Sequence, residues 1–231
     1  MKYNNVRKAV FVVRRNRFIC EIIIDGKKED CHVKNTGRLR ELLVPGAEVY
    51  VEVSDNPARK TKYDLIAVVK DGKIINIDSF APNLATGEYL KKIYPDGKVV
   101  AEQRFGNSRF DFYVENGDEK GFIEVKGVTL FLDGRALFPD APTERGIKHL
   151  GELCECVKEG YFAKVFFIIA ADSEDKLAFS PNRAVGDEFA ESLIKASESG
   201  VEICAFDCFV SEDSLGIKKR IPVVPNMKIS D

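Results

Sequence analysis

Residues 109–126 constrain the fold more than any other stretch, because they read as a β-hairpin whose polar side chains carry chemistry. Phe110, Phe112 and Val114 alternate with Arg109, Asp111 and Tyr113. Asn116-Gly117 supplies turn residues, and Phe122-Ile123 with Val125 rebuilds a second strand. Strand side chains alternate with a period of two, so Glu124 and Lys126 project from one face, and Asp111 shares that face if the register allows. Two carboxylates and an amine on one sheet face need compensation in an apolar core, where a buried charge is costly. A divalent cation provides it. Hard carboxylate oxygens suit Mg²⁺ or Mn²⁺, which keep several waters and accept phosphate oxygens. On this reading Asp111 and Glu124 are metal ligands, Glu102 on the preceding strand is a candidate third ligand, and Lys126 orients a water or offsets transition-state charge. A Glu-x-Lys on the solvent face of an amphipathic strand is the structural alternative.

An Asp followed by Glu-x-Lys on the next strand resembles the PD-(D/E)XK nuclease superfamily, and the surrounding pattern extends the resemblance. Pro82 to Ile93 reads as a helix stopped by Pro95-Asp96-Gly97, followed by extended stretches at 98–105, 109–115 and 121–126. Thr143 caps a helix with an apolar stripe at Ile147, Leu150, Cys154 and Val157, ending at Gly160. Residues 164–170 form a continuous apolar run, the mark of a strand buried on both faces. A further helix spans about Val185 to Ser199, and Val201–Phe206 is expected as the last core strand. Helix, three strands, helix, strand, helix, strand is the superfamily layout.

The first third has a different texture. Short strands are expected at 10–13, 18–24, 28–33, 47–53, 63–70 and 73–77, with hairpin turns at Asp25-Gly26 and Asp71-Gly72. A brief helical turn at 38–43 ends at Pro45-Gly46. Five to six strands broken by one short helix suit a small closed barrel of the OB type. The expected division is a barrel at 1–80 and a mixed sheet flanked by helices, restriction-endonuclease-like, at 81–231.

Composition narrows the class. At 231 residues and 45% hydrophobic content the chain can build two cores. No apolar run approaches the ~20 residues that span a bilayer, and the N-terminus lacks a secretory hydrophobic region. No membrane association and cytoplasmic residence are therefore expected. The six cysteines form no Cys-x-x-Cys pair and sit mostly in apolar runs, as buried thiols do. The net charge of −2 does not announce nucleic acid, although basic clusters stand at 14–17, 59–62 and 218–220.

Three segments together resemble the sugar fermentation stimulation protein A family: Gly106-Asn-Ser-Arg-Phe-Asp-Phe, Ile123-Glu-Val-Lys-Gly-Val-Thr-Leu, and Phe138-Pro-Asp-Ala-Pro-Thr-Glu-Arg-Gly-Ile-Lys-His-Leu. Cys31-His-Val-Lys-Asn-Thr-Gly and Ala81-Pro-Asn match more loosely, so the likeness covers nearly the whole chain. It implies an OB-like N-terminal domain, a nuclease-like C-terminal domain and a DNA partner. Gly127 and Ile147 depart from it, standing where Ser and Gln are usual. The 138–149 segment opens a helix, where free backbone donors favour anions. Arg38, Arg109, Arg145, Lys148 and His149 are the expected nucleic-acid contacts. Two functions follow: a DNA-binding protein with a Mg²⁺- or Mn²⁺-dependent phosphodiesterase site, or a DNA-binding regulator of sugar metabolism whose nuclease fold is inactive. The oligomeric state stays open, a homodimer among the alternatives.

Overall fold

Asp25-Gly26, at φ 51° and 73°, forms a two-residue turn that twists with its strands, and such turns set the register of the first sheet. The computed structural model describes residues 1–172 and 177–224. Strands β1 (Val6–Arg14), β2 (Ile19–Ile24), β3 (Lys27–Val33), β4 (Glu48–Val53) and β5 (Tyr63–Lys70) pair in the order β3-β2-β1-β4-β5. A parallel pairing of β3 with β5 closes the ring and removes its open edges. This is the expected OB barrel. Its interior holds Phe11, Ile22, Cys31, Val49, Val51 and Leu65. The expected helical turn is a single turn, with Leu43 N–H donating to Leu39 C=O at 2.8 Å, and it plugs the barrel with Leu39, Leu42 and Leu43.

The second sheet runs β15-β14-β12-β9-β8-β7. Its strands are β7 (Lys98–Phe105), β8 (Ser108–Asn116), β9 (Glu119–Val128), β12 (Phe162–Ile169), β14 (Glu202–Val210) and β15 (Leu215–Ile221). Helix α1 (Ala81–Ile93) covers one face, and α2 (Glu144–Lys158) and α3 (Asp187–Glu198) cover the other. Thr143 caps α2 as expected, its Oγ1 accepting from Gly146 N–H at 3.1 Å. Parallel pairing of β9 with β12 brings the backbones so close at Gly121 that a Cβ there would lie 2.1 Å from the Phe162 carbonyl oxygen.

Two expectations need correction, and one small sheet was not foreseen. Val201–Phe206 is not the last core strand: it continues to Val210 and β15 follows antiparallel. Its Lys218-Lys219-Arg220 read as surface because an edge strand carries charge on its open side. A third sheet of β10 (Leu130–Leu132), β11 (Arg135–Phe138) and β13 (Ala178–Pro181) had no periodicity to reveal it, its strands being three or four residues long. On α2 the buried residues are Gly146, His149, Leu150, Leu153 and Cys156, while Ile147, Cys154 and Val157 flank them. The stripe is rotated toward His149. All six cysteines are free, and all but Cys154 are buried.

The two domains share a core. Ile66 and Ala67 of β5 leave the barrel side and pack with Ala81, Ala85, Ile123 and Phe166. Strand β6 (Lys73–Asn76) extends the barrel sheet and reaches the end of β12, with Asn76 N–H donating to Ala170 C=O at 2.8 Å. Asp78, 3% exposed, ties the joint together. It accepts from Lys34 Nζ at 3.0 Å, Tyr3 OH at 3.2 Å and Phe80 N–H at 2.9 Å. Asp78→Ala strands these buried donors, and an equilibrium urea titration is expected to show a loss of about 2–4 kcal/mol, more than a surface Asp→Ala would cost.

Candidate active site

Glu124 lies mid-strand on β9, 3% exposed, and its Oε1 takes two donors. One is Lys126 Nζ at 2.5 Å, which places the two side chains on one face as their spacing requires. The other is His149 Nδ1 from α2. His149 Nε2 accepts from Arg145 Nε at 3.5 Å, which leaves Nδ1 as the nitrogen that donates. The Phe110 ring meets the imidazole edge-on at 6.3 Å. Burial opposes ionisation of Glu124, yet the His149 hydrogen bond and the Lys126 ammonium outweigh it and hold the carboxyl below the ordinary glutamate range. The second oxygen, Oε2, is buried without a hydrogen-bond partner among the described residues.

Asp111 arrives by a less regular route. The β7–β8 ladder skips it, pairing Ala101 with Phe112 and Gln103 with Phe110, and Glu102 opposite takes φ 56°. The register is the same on both sides of this gap, so no residue is inserted and the ladder is interrupted at the Glu102–Asp111 pair alone. Phe110 packs on the α2 side and Phe112 on the α1 side, so the simple alternation expected across 109–114 does not hold. The β8–β9 ladder begins only at Phe112–Ile123. Where it stops, the carboxylate replaces it: Asp111 Oδ2 accepts from Val125 N–H at 2.7 Å, and Oδ1 accepts from Asn83 Nδ2 of α1 at 2.7 Å. Burial first, then the neighbouring Glu124 charge, pushes the Asp111 carboxyl above its ordinary range, and the hydrogen bonds offset this only in part. Asn83 and His149, which fix the two carboxylates, are the site residues that sequence reasoning missed or read otherwise.

The donor set fits a hard divalent cation. An orphaned buried carboxylate oxygen beside a second, electrostatically disfavoured carboxylate is what such an ion relieves. No group of three or more His, Cys, Asp or Glu is gathered for a metal among the described residues, and Asp111 and Glu124 are the two carboxylates that stand together here. Glu102 is not a third. It is exposed on β7 and pairs with Arg109 at 3.4 Å.

The expected nucleic-acid residues divide. Arg38, Arg109, Arg145 and Lys148 are exposed. His149, 6% exposed, is spent on Glu124 and is not a surface contact. The basic clusters at 59–62 and 218–220 turn partly to carboxylates of their own chain: Arg59 pairs with Asp64, Lys218 with Asp172 at 3.0 Å, and Arg220 with Glu202 at 2.7 Å. Ile147 packs against the helix core, so its side chain is structural here. At Gly127 a Cβ would lie 2.9 Å from Pro82 Cγ, which lets α1 approach β9 closely. A cleft of about 300 Å³ opens there between the two domains, walled by Asn35, Thr36, Gly37, Ser79, Pro82 and Gly127.

An OB barrel fused to a mixed-sheet domain that carries a buried carboxylate pair and a lysine defines a two-domain protein class, and the comparisons identify it. The chain belongs to the sugar fermentation stimulation protein family, SfsA. Residues 12–77 match the SfsA N-terminal OB domain, and residues 80–214 match the sugar fermentation stimulation protein RE domain. A sugar fermentation stimulation protein homolog of Clostridium beijerinckii is 50% identical over 227 residues, covering 97% of this chain and 100% of the relative. One from Desulfitobacterium hafniense is 54% identical, covering 93% and 94%. The solved structure of Pyrococcus furiosus SfsA in complex with Ca²⁺ superposes with a TM-score of 0.85 at 29% identity, covering 97% of this chain and 98% of that one. Among the described residues no helix is long and apolar enough to cross a membrane.

The two carboxyls titrate differently. Glu124 is held ionised, whereas Asp111, with its raised pKa, takes up a proton at higher pH than an ordinary aspartate, near 4. A proton on Asp111 competes with a cation. Calorimetry with Mn²⁺ is therefore expected to show affinity falling as the pH is lowered, with the fall setting in above the ordinary aspartate window. An affinity that falls only within the ordinary aspartate window would place the cation elsewhere.

Proposed function

We propose that the chain is a DNA-binding protein whose C-terminal domain hydrolyses phosphodiesters at the Asp111–Glu124–Lys126 site with Mg²⁺ or Mn²⁺. The observation that carries this reading is the buried, unpartnered Glu124 Oε2, flanked by Lys126 and by the carboxylate of Asp111 on the next strand. The Ca²⁺ in the structure of the Pyrococcus relative adds support for a hard-cation site. Asp111 and Glu124 would hold the ion, which when bound polarises a phosphoryl oxygen and makes water a stronger acid. His149 holds Glu124 in one orientation, with Arg145 behind it. Asn83 does the same for Asp111. The Lys126 ammonium sits where negative charge gathers on a phosphoryl group under attack, and its effect is largest in the transition state. Exposed Arg38, Arg109, Arg145 and Lys148 supply phosphate contacts that orient a strand without reading its bases.

A second reading, DNA binding without turnover, is favoured by one observation: Ile147 fills the α2 position where the family resemblance leads one to expect a polar Gln, and it serves packing instead. The site substitutions separate the two readings. Lys126→Ala is expected to keep cation and DNA affinity while lowering turnover by on the order of 10²-fold, and Asp111→Ala is expected to lose the cation. Cleavage assays on single-stranded, nicked and duplex DNA with Mg²⁺ and Mn²⁺ read this out. A parent inert on every form establishes the binding-only reading, and a Lys126→Ala protein as fast as the parent removes the lysine from the mechanism. Because the contacts are to phosphates, duplex affinity is expected to fall steeply between low and moderate salt; affinity indifferent to salt would contradict it.

A further inference from the structure

Phe80 leaves 62% of its surface in solvent, and Leu84, one turn along α1, leaves 53%. The exposure is not a frayed end. Phe80 N–H donates to the buried Asp78 carboxylate at 2.9 Å, and its C=O accepts from Leu84 N–H at 3.1 Å, so the ring is mounted on fixed backbone. Residues three and four apart share a helix face. The ring and the Leu84 side chain therefore flank Asn83, whose amide is bonded to Asp111. An apolar patch thus stands on the helix that carries Asn83, whose amide reaches Asp111.

What approaches it is indicated by the charges around it. Ser79 Oγ donates to Lys34 C=O at 2.9 Å, joining the residue before Phe80 to the loop at 34–38 of the barrel. The Arg14 guanidinium fastens that loop to the β1–β2 turn, donating to Asn35 C=O at 2.6 Å, Gly37 C=O at 2.5 Å and Arg17 C=O at 2.7 Å. Arg17, Arg38 and Arg40 are exposed along this edge, with no carboxylate partner among the described residues. A second exposed ring, Phe18 at 51%, closes the far end. Exposed arginines on a loop tied at one side to the residue before Phe80 and at the other to the turn before Phe18 match a polyanion that also presents flat apolar faces.

We infer that the strand acted on at this site is unpaired DNA, with one base stacked on Phe80 beside the Asp111 carboxylate and the phosphates behind it running along Arg38 and Arg40 toward Phe18. The inference rests on the DNA reading above and names its substrate form. Inside a duplex both faces of every base are already stacked, and the outer surface is sugar and phosphate, so a duplex on this edge would meet the arginines and not the rings. A free base gains the ring, and the gain is indifferent to sequence because every base has a π-face.

The test is fluorescence anisotropy of the full chain, in EDTA so that no strand is cut, with a labelled oligothymidine strand and with a blunt duplex. The parent is expected to bind the single strand more tightly. Phe80→Ala is expected to weaken single-strand binding about tenfold while sparing the duplex, Phe80→Trp to restore it, and Phe18→Ala to weaken it by a smaller factor. Should Phe80→Ala melt early, Phe80→Leu against Phe80→Trp carries the same comparison with an apolar side chain kept in place. Equal or tighter duplex binding by the parent, or ring substitutions that leave single-strand affinity unmoved or lower both forms alike, overturns the inference while the DNA reading stands. A parent that binds neither form at low salt overturns both.

Discussion

A carboxylate in the middle of a sheet sets the terms for the C-terminal domain. Glu124 is buried on β9 between β8 and β12, and an ionised group there must find partners within reach or lose its charge. Lys126 comes from the same strand, but His149 comes from α2, so the helix must seat its N-terminal half over β9 in one rotation. That requirement is visible in the packing: the buried stripe of α2 turns toward His149, and Ile147 moves to its margin. The second oxygen is left over, buried without a hydrogen-bond partner among the described residues.

The same economy of hydrogen bonds shapes the neighbouring strand. β8 separates from β9 below Phe112, and the Val125 N–H released by that separation is taken by Asp111. The ladder gap opposite Glu102, whose φ is 56°, and the splayed strand end thus accompany a carboxylate that a regular hairpin would place differently. Asn83 completes the arrangement from the opposite face of the sheet, and α1, which carries it, is anchored at its start by Asp78. Asp78 also receives Lys34 of the barrel. The barrel and the carboxylate pair are therefore linked through one short segment, 76–83, which also presents Phe80 to solvent.

Much of this was legible in the chain. The six barrel strands, the three helices and the strands of the second sheet up to β14 fall where periodicity and turn residues put them, because short local signals such as Asp25-Gly26, Pro82 and Thr143 act through nearest neighbours. Glu124 and Lys126 share a face because the strand period allows nothing else. The small sheet of β10, β11 and β13 was not legible, since three or four residues carry no period. His149 was read as a surface group because Arg145, Lys148 and His149 look alike as a basic helix face; only the position of Glu124 opposite separates it from the others.

The sequence by itself determined the element types, the two-part organisation and the pairing of Glu124 with Lys126, all of which depend on spacings of a few residues. Tertiary structure decided the rest: that Asp111 accepts from Val125 and Asn83, that His149 is enclosed, that Glu102 is not, and that Phe80 stands open beside the site. The physical reason is the range of the interactions. Propensity and alternation are properties of neighbours in the chain, whereas the partner of a buried charge is whatever the packing of distant elements brings to it.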